Sequence, residues 1–124
     1  MSETSRACPI GIFVSVIDGP WATLIVRELL SGPKRFGDLR TALPGISPKT
    51  LTARLNRFTS LGLATRTAYP EIPPRVVYEL TDRGRGLRPV LDAMAHWAEA
   101  NLPIPDEVSE HSAGSVEKML PMSR

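Results

Sequence analysis

Five residues, Pro44-Gly45-Ile46-Ser47-Pro48, constrain this chain more than any others, because they stop one helix and start the next with almost nothing between. Pro44 and Gly45 end a segment, Gly37 to Leu43, that together with Phe36 turns Leu39 and Leu43 inward. Ser47 carries the hydroxyl of a good N-cap, and Pro48 suits the first helical position, where a missing N–H costs nothing. Leu51, Leu55 and Phe58 then fall at i, i+4 and i+7, a single apolar stripe. Gly62, within Leu61-Gly62-Leu63, suits the left-handed position just past a helix end. Two short helices joined by so tight a break predict a helix-turn-helix.

The flanking segments extend that unit. Leu63 to Tyr69 and Arg75 to Leu80 are β-compatible, with Val76, Tyr78 and Leu80 on one side, and Pro70 to Pro74 makes a stiff loop between them. A helix-turn-helix followed by such a hairpin is a winged helix. Lys34-Arg35-Phe36 suits a very short strand ahead of it. Upstream, Cys8-Pro9 opens a helix expected to reach about Asp18 and to bury Ile10, Phe13, Val14 and Ile17. Gly19-Pro20 breaks it, and a second helix follows with Trp21, Leu24, Ile25 and Leu29 at helical spacing and Arg27 and Glu28 outward. Thr81 is the expected N-cap of one long final helix with Leu87, Val90, Leu91, Met94, Trp97 and Ala98 along its stripe and a bend at Pro89.

The expected fold is therefore α+β and mostly helical: a winged helix-turn-helix with extra N- and C-terminal dimerisation helices, in one domain over residues 8–102. Residues 1–7 read as a flexible N-terminus and 103–124 as an acidic, Ser-rich tail with a short helix near Val116 to Leu120. At 124 residues the chain supports one modest core. No apolar run is long enough to cross a bilayer, and the first residues lack the pattern of a signal peptide, so a cytoplasmic location is expected. The single cysteine, Cys8, excludes an intrachain disulfide and a multi-thiolate metal site. His96 and His111 have no partners at ligand spacing, and no Ser-His-Asp order, phosphate loop or carboxylate pair appears, so neither a metal, a cofactor nor an enzyme activity is expected.

Charge is divided unevenly along the chain. Lys34 to Arg88 holds eleven Lys or Arg against four acids, a surplus of seven, whereas after Arg88 six acids face two cations. The basic block coincides with the helix-turn-helix pattern, which points to a polyanion, double-stranded DNA, as partner. On a helical wheel, Lys49, Thr50, Ala53, Asn56, Arg57 and Ser60 lie opposite Leu51, Leu55 and Phe58, with Arg54 at the border. Such a face has the groups a major groove requires: Arg for guanine, Asn for adenine, and the methyls of Ala or Thr for thymine. Ser47 and the first helical N–H groups suit a phosphate. Arg66 and Arg75 flank the hairpin loop, where they serve either as phosphate or minor-groove contacts or as charges that protect an edge strand from pairing.

A single recognition helix covers only a few base pairs, so specific affinity calls for two half-sites. The first and last helices provide apolar stripes for a two-fold homodimer, with Phe13, Ile17, Leu87, Leu91, Met94 and Trp97 as the expected interface. The alternative is a winged helix used only for protein contacts. Cys8, at a helix N-terminus and close to Arg6, is placed either as a thiol open to oxidants and electrophiles or as a buried, inert small hydrophobe.

An ordered set of these residues resembles the HxlR family of bacterial winged-helix regulators. The set comprises Cys8-Pro9, Trp21, Gly32 to Phe36 with Leu39, Gly45 to Thr52, Leu55, Leu61 to Leu63, Arg66, Pro73-Pro74, Val77-Tyr78, Leu80-Thr81, Gly84 and Trp97, and so covers roughly residues 8 to 99. The family's usual Gly-Lys-Trp is replaced by Gly19-Pro20-Trp21. The resemblance implies a homodimer on an inverted repeat near a promoter, acting as repressor or activator. It further implies, for some members, sensing of aldehydes, quinones or disulfide stress through a cysteine that matches Cys8.

Overall fold

The computed structural model describes residues 8–103, so the expectations for residues 1–7 and for the tail beyond Pro103, including the helix near Val116, lie outside the described residues. The chain begins with α1 (Pro9–Val16) and α2 (Gly19–Leu30), continues through β1 (Lys34–Arg35), α3 (Phe36–Ala42) and α4 (Pro48–Ser60), and forms the hairpin β2 (Ala64–Tyr69) and β3 (Arg75–Leu80). It closes with α5 (Asp82–Arg85) and α6 (Arg88–Asn101).

The helix boundaries follow local chemistry. Gly19 has φ +76° and turns the chain between α1 and α2, whose axes differ in direction by 82°. The Asp38 side chain accepts a hydrogen bond from the Arg35 N–H at 3.0 Å and so fixes the start of α3. At the end of α4, the Gly62 N–H donates to the Thr59 carbonyl at 3.1 Å and the Leu63 N–H to the Phe58 carbonyl at 2.9 Å. With Gly62 at φ +77°, this is a Schellman motif, which satisfies the last carbonyls of the helix.

The sheet is antiparallel with strand order β1-β3-β2. Lys34 pairs with Tyr78 on one side of β3, and Arg66 pairs with the same Tyr78 on the other. The core lies where α2, α3, α4 and the base of this sheet meet. Phe58, Ile25, Leu39, Leu51, Leu55 and Val26 are its largest fully buried side chains. Leu51, Leu55 and Phe58 each contribute about 2 kcal/mol by burial, which fixes α4 by its inner face.

Three expectations are corrected. The final segment is two helices rather than one bent at Pro89: α5 ends at Arg85, and Pro89 falls in the first turn of α6, where its missing donor is harmless. The first helix stops at Val16, and its residues Ile10 and Val14 are 75% and 53% exposed rather than buried. Ile17, just past that helix, is 7% exposed and belongs to the core, so its side chain is used within the subunit instead of at a dimer interface.

Candidate nucleic-acid interface

The outward face of α4 is built by what anchors its other side. Ser47 Oγ accepts from the Thr50 N–H at 3.0 Å, and Pro48 occupies the first turn, as the sequence predicts. With Leu51, Leu55 and Phe58 turned inward, Lys49, Thr52, Ala53, Asn56, Arg57 and Ser60 are exposed, and Thr50 is half-buried beside the cap. No acid occurs anywhere in α4. Thr52 is absent from the sequence-derived set, yet it lines a surface depression with Asn56 on α4, Arg66 on β2, and Phe36, Val76 and Tyr78. Its spacing of four from Asn56 was the available signal.

Two of the predicted cations of α4 are engaged within the chain. Arg54 is half-buried, and its Nη1 lies 2.6 Å from Asp18 Oδ1 at the start of α2. That pairing turns the Arg54 guanidinium toward the protein rather than leaving it free on the outer face of α4. Arg57 donates from Nη2 to the Ser15 carbonyl at 3.2 Å, but it remains exposed, with further guanidinium donors.

The hairpin separates its two arginines. Arg66 is exposed on β2, on the same side as the depression beside α4. Arg75 makes a two-pronged ion pair with Glu71, Nε to Oε1 at 3.1 Å and Nη2 to Oε2 at 2.8 Å, and its guanidinium carbon lies 3.9 Å from the centre of the Tyr69 ring. The hydrogen bonds from Arg75 hold the Glu71 carboxyl below its ordinary range, and the same bonds raise Arg75. Arg75 therefore braces the wing loop, and its guanidinium is engaged within the chain. Arg35, not singled out from sequence as a contact, is exposed at the start of α3 and lines a second depression with Pro74 and Arg75.

The residues assigned to subunit contact divide into two groups. Phe13, Leu87 and Leu91 are half-buried against the core. Met94 and Trp97 are 48% and 59% exposed on α6, where Val90 is also exposed, and Ile10, Ile12 and Val14 are exposed on α1. Cys8 is half-buried at the N-cap of α1, where its Sγ accepts from the Gly11 N–H at 3.4 Å. No single helix among the described residues is long and apolar enough to cross a membrane.

Comparison with known proteins agrees with this geometry. The HxlR-like helix-turn-helix family profile matches residues 16–106. An HTH-type transcriptional regulator of Synechocystis sp. is 52% identical over 101 residues, which cover 78% of this chain and 75% of that protein. Among solved structures, the redox regulator HypR in its reduced form is 34% identical with a TM-score of 0.72, covering 76% of this chain and 93% of its own. The reduced form of the transcriptional regulator YodB from B. subtilis is also 34% identical, with a TM-score of 0.69 over 80% of this chain and 98% of its own. A winged helix with a basic, acid-free second helix, matched along most of its length by this profile and by these regulators, belongs to the HxlR-like helix-turn-helix family and is a helix-turn-helix transcriptional regulator.

Proposed function

We propose that this regulator binds a specific inverted-repeat operator as a homodimer, with α4 in the major groove of each half-site. The observation that carries this is the outer face of α4: Lys49, Thr52, Ala53 and Asn56 are exposed side by side, without an acid on the helix, and are supported from beneath by three buried side chains. Asn56, Thr52 and Ala53 suit base edges, while Lys49, Ser47, Thr50 and Arg57 suit the flanking phosphates. Arg66 on the wing and Arg35 at the start of α3 extend the cationic track to the neighbouring backbone. The proposed domain spans residues 8–102, and exposed apolar side chains on α1 (Ile10, Ile12, Val14) and on α6 (Val90, Met94, Trp97) support assembly of two copies.

Selection from a random duplex pool, followed by titration of the enriched duplex, tests this. The enriched sequence should carry two inverted half-sites, bind two chains, and lose affinity steeply as salt rises. Equal retention of all duplexes, with no enriched motif, would favour a module that contacts only proteins.

Oxidant or electrophile control through Cys8 is part of the same proposal. Its support is the position of the thiol at the head of α1, together with similarity to HypR, which has been solved in both reduced and oxidised forms. After diamide treatment, the parent protein should release its operator and show a mass or cross-linking change, and Cys8→Ser should do neither. An identical response in both proteins would exclude the thiol.

A further inference from the structure

Asp18 stands at the N-cap of α2, yet its carboxylate accepts no hydrogen bond from that helix. It reaches across to α4 and accepts from Arg54 Nη1 at 2.6 Å. The same guanidinium lies over Gly19, where a Cβ would stand 3.1 Å from Arg54 Nη2. Three residues on, Arg57 donates to the Ser15 carbonyl at 3.2 Å. The corner between α1 and α2 therefore holds two of the three cations of α4, while Lys49 is left exposed.

This arrangement bears on specificity. An arginine at the border of a groove-facing helix, if free, reaches phosphates of any sequence, and such contacts add affinity without base information. A carboxylate that holds it against the protein withdraws that contact. It also adds to the buried Leu51, Leu55 and Phe58 a second tie on how α4 is rolled about its axis, from an element 36 residues away in sequence.

We propose that Asp18 is a positioning residue for DNA recognition: by docking Arg54 on the α1–α2 corner, it sets the bearing of α4 and keeps one cation out of the phosphate contacts. This rests on the DNA-binding reading of α4 given above. The discriminating variant is Asp18→Asn, which keeps the side-chain shape and N-cap capacity but loses the charge.

The measurement is the slope of log Kd against log salt, for a labelled duplex of mixed sequence and for the duplex enriched by selection. Freeing Arg54 to meet one phosphate should steepen the slope of Asp18→Asn by about 0.9 and narrow the preference for the enriched duplex. Arg54→Gln alone should leave the parental slope unchanged, and Asp18→Asn with Arg54→Gln should return to it. The proposal is overturned if Asp18→Asn keeps the parental slope, whether or not its Tm falls. It is equally overturned if Arg54→Gln makes the slope shallower by about 0.9, since Arg54 would then already contact phosphate. A parent protein that shows no preference for any enriched duplex would count against the operator reading, while the mixed-sequence slopes would still decide the role of Asp18.

Discussion

Gly84 and Leu63 approach so closely that a Cβ built on Gly84 would overlap the Leu63 carbonyl oxygen. The contact closes a junction that the Thr81 side chain also holds, its Oγ1 donating to the Gly62 carbonyl at 2.7 Å and accepting from the Gly84 N–H at 3.1 Å. The end of α4, the start of β2 and the start of α5 meet there, so one point sets the recognition helix, the wing and the C-terminal helices relative to one another. Gly84→Ala should therefore lower stability by about 2–3 kcal/mol, through backbone displacement. Urea unfolding followed by circular dichroism measures it, and a change below a few tenths of a kcal/mol would show that the junction yields freely.

The cap of α4 has a separate energy. Ser47→Ala removes the acceptor for the Thr50 N–H and should lower stability by about 1 kcal/mol. Ser47→Asp keeps an acceptor and should retain most of that stability, yet weaken DNA binding by placing an anion beside the phosphates. The two properties are read by unfolding and by fluorescence anisotropy on the same preparations.

Lys49 and Asn56 should fail in different ways. Lys49→Ala removes an exposed charge from the outer face of α4; if it meets a phosphate as proposed, binding should weaken for all duplexes and the salt slope should become shallower by about 0.9. Asn56→Ala should cost about 1–3 kcal/mol on the enriched duplex alone and relax the preference at one base pair. Neither residue contributes to the core, so the unfolding curves should overlay that of the parent.

The wing should respond to acid. Glu71 has a carboxyl held below its ordinary range by Arg75, so the ion pair contributes fully above the unfolded carboxylate range and is lost as pH falls through the lowered value. Below that point Arg75 should leave Glu71 and its place over Tyr69. Resonances of the Arg75 side chain, shifted by the Tyr69 ring, should move toward free-arginine positions in an acid titration. Glu71→Gln should show those positions already at neutral pH, and a parental response in that variant would show that Glu71 does not hold the guanidinium.

The helix-turn-helix was legible in the sequence because its punctuation is chemical: Pro44-Gly45, Ser47-Pro48 and Gly62 act locally, and the structure uses each of them as read. The span Arg75–Leu80 was legible as a strand for the same kind of reason, proline on one side and alternation within. What escaped depended on which partner a side chain takes in three dimensions. A helical wheel gives the bearing of Arg54 but not the carboxylate of Asp18 that meets it, and the charge of Arg75 does not reveal Glu71 folding back upon it. The stripe of Ile10 and Val14 is a true apolar stripe, but periodicity does not state whether its partner is the chain's own core. Pro89 reads as a bend because Gly84, Gly86 and Pro89 weaken the helical turns without marking a boundary; in the structure Gly86 caps the end of α5 and Pro89 falls in the first turn of α6.

The most direct test of the account is where a duplex touches the protein. In a 15N-labelled sample titrated with the enriched duplex, amide shifts should concentrate at Lys49, Thr52, Ala53 and Asn56 of α4, continue to Arg66 and Arg35, and leave the interior face at Leu51 and Leu55 little changed. Shifts confined to α1 and α6, with the outer face of α4 unmoved at saturation, would contradict it.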